Sequence, residues 1–482
     1  MTATRTESTV LRAALVELLG ADAIREGDAA LPYQYDEARL QRLVGHADAV
    51  VAPRDAGDVA KLVAWCCAEG VPLVPRGGGT GLAGGAVPID GGVVCSVERL
   101  NRVLTFEPEL WRLHVDAGVT TAKVQGLARD NGLFYPPDPG AAEQSQIGGN
   151  IACNAAGPHC FKYGVTGAWV TGLTVVIGGG ETLELGGPLR KDVAGYDLKS
   201  LFIGSEGTLG IITSAWLRLI PAPEARRTVV AGFPDVHSGV AAVLRTLASG
   251  THPATLEYLD PGSVAAARPA FPGDLPEPIR FLVLTEVDGA EAAMPGMEAD
   301  IREALGPGAL TVATYTSRRE QADLARWRGG LLYAVSAQRG GKMSEDIAVP
   351  VDRLEEAIEM TLQAARAVGL PGCSFGHAGD GNLHSTFMID PTDPVQVAAA
   401  ERGMEMVFAG ALALGGTVSG EHGLGWLKRG QFARQFRGAD AQLQSQLKGL
   451  FDPRNLLNPG KKVSPVQAGE ITSTSLPSGS ST

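Results

Sequence analysis

Apolar positions along this chain follow two rhythms. Residues 8–20 repeat every three to four positions, with a Ser/Thr start and a Gly20 stop, which predicts a helix. Residues 50–53 form a short apolar run that reads as a strand. Residues 55–70 then read as a helix with Val59, Leu62 and Val63 on one face, and 71–75 as a second strand. Further short strands are expected at 92–96, 112–116, 172–177 and 211–220, with a helix at 121–131 among them. Pro221-Ala222-Pro223 interrupts the pattern. Beyond it, strands at 228–233 and 279–287 alternate with amphipathic helices at 236–249 and 290–305, as in an α+β unit built on an antiparallel sheet. Two runs, 370–375 and 384–389, flank a glycine-rich turn and read as strands of a hairpin.

A chain of 482 residues exceeds one ordinary core, so two or three domains are expected. The punctuation divides it into an N-terminal helical segment (1–45), a glycine-rich half (46–222), an α+β half (223–463) and a Ser/Thr/Pro/Gly-rich tail (464–482) expected to be disordered. The hydrophobic share of 44% and charged share of 20% describe a soluble globular chain. A net charge of −12 argues against nucleic acid as a partner, which calls for a basic face. The six cysteines have no C-x-x-C spacing, which argues against iron–sulfur ligation and a disulfide framework and for a reducing, cytoplasmic setting. No apolar run approaches the ~20 residues that span a bilayer, and the N-terminus lacks the apolar core of a secretory signal.

Candidate chemistry is concentrated in two glycine-rich segments of the second half. Gly376-His377-Ala378-Gly379-Asp380-Gly381-Asn382-Leu383-His384 is answered by Ser419-Gly420-Glu421-His422-Gly423. His377, His384 and Glu421 are three candidate ligands for a divalent metal, and His422 beside them is a candidate base. A metal that grips an alcohol next to a free base is equipment for removing its proton. The hairpin would bring His377 and His384 to adjoining strand ends facing one pocket.

The first half carries a different signal. Residues 76–85 hold six glycines in ten positions directly after a strand, a run of backbone N–H groups suited to a pyrophosphate. It is neither a Rossmann fingerprint nor a Walker loop. Three further segments share its character: Tyr135-Pro136-Pro137-Asp138-Pro139-Gly140, residues 147–157 (Ile-Gly-Gly-Asn-Ile-Ala-Cys-Asn-Ala-Ala-Gly) and Gly204-Ser205-Glu206-Gly207-Thr208-Leu209-Gly210 running on to Thr213. A large flat cofactor enclosed by backbone from several loops would account for all four.

These segments resemble the FAD-binding half of the vanillyl-alcohol oxidase / p-cresol methylhydroxylase superfamily. Residues 376–384, 419–423 and 455–461 (Asn-Leu-Leu-Asn-Pro-Gly-Lys) resemble its 2-hydroxy-acid branch, which contains D-lactate dehydrogenases, D-2-hydroxyglutarate dehydrogenases and the flavoprotein subunit of glycolate oxidase. The likeness covers residues 40–463 with the motifs in family order. It implies an α+β, two-domain flavoprotein: a PCMH-type FAD-binding domain followed by an FAD-linked oxidase C-terminal (cap) domain with an antiparallel sheet.

The resemblance implies that Arg76, Gly77, Gly78, Gly79, Thr80 and Gly81 hold the FAD pyrophosphate. Pro137, Asp138, Gly148, Gly149, Asn150, Asn154 and Gly157 would line the path from adenine to isoalloxazine. Glu206, Gly207 and Ile212 would add backbone contacts, and Asn458 would reach the flavin from the second domain. The first loop has Thr80 and no histidine, so the FAD is expected to be non-covalent. His377, His384 and Glu421 match the branch's ligands for zinc or manganese, and His422 matches its base. Arg328 matches the arginine that forks a substrate carboxylate, with Lys342 as a second candidate.

The expected reaction is oxidation of a small D-2-hydroxy acid, D-lactate-like, to the 2-oxo acid, with electrons passed to a quinone, an electron-transfer protein or an iron–sulfur subunit. A homodimer is expected, with membrane association through a partner left open. Two alternatives stand beside it: the flavoprotein subunit of a multi-subunit glycolate dehydrogenase, and a non-catalytic flavin-binding protein. Ser385-Thr386 follows His384 where 2-hydroxyglutarate enzymes commonly carry an asparagine two residues on, a departure that speaks against that substrate. Gln146 and Ala156 are smaller departures in the flavin wall.

Overall fold

The computed structural model describes residues 5–463, so the tail at 464–482 lies outside the described residues. Two larger sheets and a two-stranded pairing of Leu133–Phe134 with Ile220–Pro221 form the first half. The strands Ile24–Arg25, Ala49–Val51, Val93–Ser96 and Leu73–Arg76 lie side by side in that order, the last three parallel. Strands that run parallel need a crossover, and the helix Ala56–Glu69 supplies it between Ala49–Val51 and Leu73–Arg76, which flank Val93–Ser96. Its N-cap Asp55 accepts from Asp58 N, and Gly70 ends it in the left-handed region at φ 72°. The second sheet is antiparallel, in the order Val103–Glu107, Arg112–Asp116, Gly210–Arg218, Val170–Ile177, Thr182–Gly186.

In the N-terminal segment α-helix is confined to Arg5–Leu19. Gly20, at φ 92°, ends it, and short 3-10 turns and the strand Ile24–Arg25 follow. Leu15, Leu19, Ala23 and Ile24 share one core with Val51, Val59 and Val115, so this segment is built into the first half.

The second half is organised by one seven-stranded sheet, antiparallel throughout. Its order is Thr311–Tyr315, Ala225–Phe233, Phe281–Gly289, Thr255–Leu259, Gly372–His377, Asn382–Ile389, Gly341–Ala348. Because side chains alternate along a strand, the sheet has two distinct faces. Leu256, Tyr258, Ile347, Leu383 and Phe387 belong to one core. Leu259, Cys373, Phe375 and Met388 belong to another, under Trp327 and Leu331. The expected hairpin is present, and its register places His377 opposite Asn382 and His384 opposite Phe375. Among the described residues no helix is long and apolar enough to cross a membrane.

Candidate active site

Strand register assembles the site. Phe375, His384 and Asp346 are direct neighbours across three strands, and Glu257 pairs with His377 in the adjoining row. All five project from the face that carries Leu259 and Met388. The turn of the hairpin requires Gly381, whose φ is 74° and whose Cα faces the carbonyl of Val349; a Cβ there would lie 2.0 Å from that oxygen.

His377, His384 and Glu421 each offer a ligand atom, and these atoms lie within 4.8 Å of one another. Glu421 Oε1 is 3.6 Å from His377 Nε2 and 3.4 Å from His384 Nε2. Burial pushes the His384 imidazole down to about 3, so it is neutral and its lone pair is free. Burial opposes a charge on His377 as well, yet Glu257 and Glu421 on either side hold its pKa well above the ordinary value. Burial likewise disfavours the Glu421 carboxylate, but the hydrogen bond and charge of His377, with His384 and His422 behind it, hold it down at about 2. A cation among these side chains would replace the His377 proton and find two imidazoles and a carboxylate, a donor set that fits zinc or manganese. Two imidazoles and one carboxylate leave coordination positions open.

Two buried carboxylates that the sequence reading passed over stand behind this cluster. Glu257 Oε1 accepts from His377 Nδ1, and its Oε2 accepts from Arg328 Nη2 at 2.6 Å. Asp346, fully buried, accepts from the backbone N–H groups of Glu421 (2.6 Å) and His422 (3.1 Å), forms an ion pair with Lys428, and lies 3.3 Å from His422 Nδ1. Burial would raise the Asp346 pKa, but His422 and Lys428 hold it well below the carboxylate range. With Nδ1 turned to Asp346, the other edge of His422 is left for the site; its Nε2 is 3.7 Å from Glu421 Oε1, and the ring stacks on His384 at 5.4 Å.

Arg328 is brought to this cluster through Glu257. It sits over the Phe375 ring, and its buried Nε has no hydrogen-bond partner. An unpaired buried donor is costly, and a substrate carboxylate would satisfy it. Lys342 lies four residues before Asp346 on the same strand face; burial lowers its pKa. The only sequence signal for Glu257 is a charge in an otherwise apolar strand, Thr255-Leu-Glu-Tyr-Leu259. Asp346 sits in the Ser344-Glu345-Asp346 run, where nothing in sequence says which acid faces the site.

The glycine-rich segments converge as the flavin expectation requires. A Cβ on Gly78 would lie 2.1 Å from the Gln144 carbonyl oxygen, one on Gly148 2.6 Å from the Ala117 Cβ, and one on Gly157 2.5 Å from the Asp138 carbonyl oxygen. The Gly77 and Gly149 backbones also approach, within 3.3 Å of a Cβ built on Gly77. Such a backbone-lined cradle suits a flat cofactor and its pyrophosphate.

Several side chains in these loops are occupied by the protein itself. The Arg76 guanidinium donates to the Tyr35 (2.6 Å) and Pro32 (2.9 Å) carbonyls, so Arg76 offers the site its backbone and not its charge. The Asn150 amide donates to Thr121 Oγ1, and the Asn154 side chain accepts from Gly167 N. Asp138 is paired with His159, and the Pro137 carbonyl accepts from Gln125. Asn458 donates to the Gly85 and Glu206 carbonyls, tying two of the loops together. Gly79, Thr80, Gly81, Gly207 and Ile212 lie in or beside the same loops.

A seven-stranded cap sheet with this cluster on one face, joined to a glycine-lined cradle, defines a flavoprotein oxidoreductase fold. Residues 222–462 match the family described as "FAD linked oxidases, C-terminal domain", and 47–186 match "FAD binding domain". The chain belongs to the FAD-linked oxidase family. It is 36% identical to the "Glycolate oxidase subunit GlcD" of Bacillus subtilis (strain 168), over 93% of this chain and 95% of the relative. It is 34% identical to the "D-lactate dehydrogenase" of Anaerostipes hadrus, over 84% of this chain and 87% of the relative. Among solved structures, p-cresol methylhydroxylase with substrate bound shares the fold, with a TM-score of 0.78 at 16% identity over 96% of this chain and 98% of that one.

Proposed function

We propose that this protein oxidises a D-2-hydroxy acid, D-lactate-like, to the 2-oxo acid at a site that holds FAD and one divalent metal, zinc or manganese. The observation that carries the reading is the convergence of His377, His384 and Glu421 within 4.8 Å, with His422 against them and a carboxylate behind each end. When bound, the flavin supplies the acceptor for the substrate's α-hydride and the metal supplies a Lewis acid for its hydroxyl oxygen. Arg328 binds the substrate carboxylate through its unpaired Nε, which orients the α-carbon, and Lys342 adds positive charge on that face. His422 takes the hydroxyl proton at Nε2. Asp346 holds the opposite ring nitrogen and stabilises the imidazolium that forms. Loss of one hydride and one proton turns CH–OH into C=O, and electrons leave to an external acceptor: a quinone, an electron-transfer protein or an iron–sulfur subunit. Non-covalent attachment of the FAD and a homodimer belong to the same proposal.

Anaerobic bleaching of the yellow protein by a panel of D- and L-2-hydroxy acids, glycolate included, tests it. Bleaching by D-lactate and not L-lactate is expected. Treatment with a chelator should abolish bleaching and leave the flavin bound, and zinc or manganese should restore it. A bound flavin that no hydroxy acid reduces would refute the proposal. The near full-length likeness to a glycolate oxidase subunit supports a second reading, in which this chain is the flavoprotein subunit of a glycolate dehydrogenase. In that case glycolate bleaches the flavin, but the isolated chain does not turn over with an artificial acceptor.

A further inference from the structure

His422 lies on a strap, residues 419–425, that is hung between the two halves of the molecule. Its first part belongs to the cap: Asp346 takes the Glu421 and His422 amides, and Gly420 packs so closely on Asn382 that a Cβ would lie 2.1 Å from Nδ2. Its second part belongs to the flavin half. Glu206, which precedes Gly207 in the fourth glycine-rich loop, accepts from the Leu424 (3.0 Å) and Gly425 (2.7 Å) amides. Its carboxylate reaches them by lying against Gly423, where a Cβ would be 2.8 Å from Oε1 and where φ is 80°. The next two amides, Trp426 and Leu427, donate to the Ala83 carbonyl in the first glycine-rich loop. Glu206 is itself held in the left-handed region at φ 55°, is 7% exposed, and pairs with Lys462 at 3.1 Å. A non-glycine residue in that conformation persists only where its surroundings enforce it.

Two buried carboxylates, one from each half, thus grip successive pairs of amides on either side of Gly423, one of them the His422 amide. We propose that Glu206 is a positioning residue: its side chain sets the base-bearing strap in register with the loops that enclose the flavin. The cap alone fixes His422 relative to the metal ligands. Its placement relative to the flavin requires ties to the flavin half, and the Glu206 carboxylate, nearer to His422 along the chain than the Ala83 carbonyl, is the side-chain tie. The proposal rests on the reading of His422 as the base. It gives the fourth glycine-rich loop a second task beside lending backbone to the cofactor.

Stopped-flow flavin reduction by D-lactate, with FAD content and bound metal measured, tests the holoenzyme forms of Glu206→Ala, Glu206→Gln and His422→Asn together. Misplacing a reacting group by about 1 Å costs on the order of 100-fold, so Glu206→Ala is expected to slow reduction on that scale. Its FAD and metal content and the substrate concentration at half-saturation should stay unchanged. Glu206→Gln, which keeps one acceptor oxygen, should recover roughly tenfold of the loss. Full-rate reduction by Glu206→Ala, or a loss of rate that only tracks lost FAD, would overturn the proposal. Full-rate reduction by His422→Asn would instead sink the base and leave the strap to be judged by amide exchange. In the wild-type holoenzyme the Leu424 and Gly425 amides should be as protected as the flavin-half strand Gly210–Arg218. Fast exchange there overturns the tie even if Glu206→Ala does not fold.

Discussion

Glu257 holds the side chains of His377 and Arg328 with one carboxylate. His377 Nδ1 donates to one oxygen and Arg328 to the other, in a buried position. Burial alone would raise its pKa, but the His377 and Arg328 charges lower it, so it remains an anion. A carboxylate behind a metal-bound imidazole orients the ring and raises its basicity. Glu257→Gln is therefore expected to weaken zinc or manganese binding by about 10–100-fold, measured by calorimetry on the flavin-loaded protein. It should also raise the D-lactate concentration needed for half-maximal bleaching, because Arg328 loses its anchor. Unchanged metal affinity would refute the role.

At the scale of the element, the hairpin Gly372–His377 and Asn382–Ile389 brings His377 and His384 together because its register is fixed at both ends. One edge pairs with Thr255–Leu259 and the other with Gly341–Ala348, so a slip of one residue would turn His377 and His384 to the opposite face. The turn depends on Gly381, and Gly381→Ala forces a Cβ against the Val349 carbonyl in a left-handed conformation. The substitution is expected to lower stability by roughly 1–3 kcal/mol, read as a drop in Tm. Weaker metal binding should accompany it, since the turn sits between the two histidines. A variant with wild-type Tm and metal affinity would show that the turn is not what holds them.

At the scale of the whole molecule, the halves also meet through charge. His159 of the flavin half lies between Asp138 and Glu286, and Lys162 and Tyr163 both reach Asp288 of the cap sheet. Burial opposes the His159 cation, but Asp138 and Glu286 raise its pKa from 6.5 to about 10. A group whose pKa is raised on folding stabilises the fold fully below its unfolded value and loses that contribution as pH rises through the folded one. The wild type should therefore exceed His159→Gln in Tm at pH near 6.5, and the difference should shrink as pH approaches about 10. A difference that does not change with pH would show that the His159 cation contributes nothing to the join.

The sequence by itself determined the elements and the chemistry at their ends. Local signals carry both: Asp55 and Gly70 cap a helix wherever it packs, the run 384–389 beside a glycine-rich turn reads as a hairpin strand, and the glycine runs announce loops. The motifs that carried the family resemblance are contiguous for the same reason, and the family match bears the resemblance out. What only the tertiary structure decided is how distant residues share one atom. Glu257 reaches His377 across 120 positions, Asp346 reaches His422 across 76, and Glu206 reaches Leu424 across 218. The Arg76 guanidinium likewise donates to carbonyls 41 and 44 residues away. Strand order and register set these contacts, and they depend on which strands lie side by side, a property of the packed sheet that no local pattern of apolar and polar residues encodes.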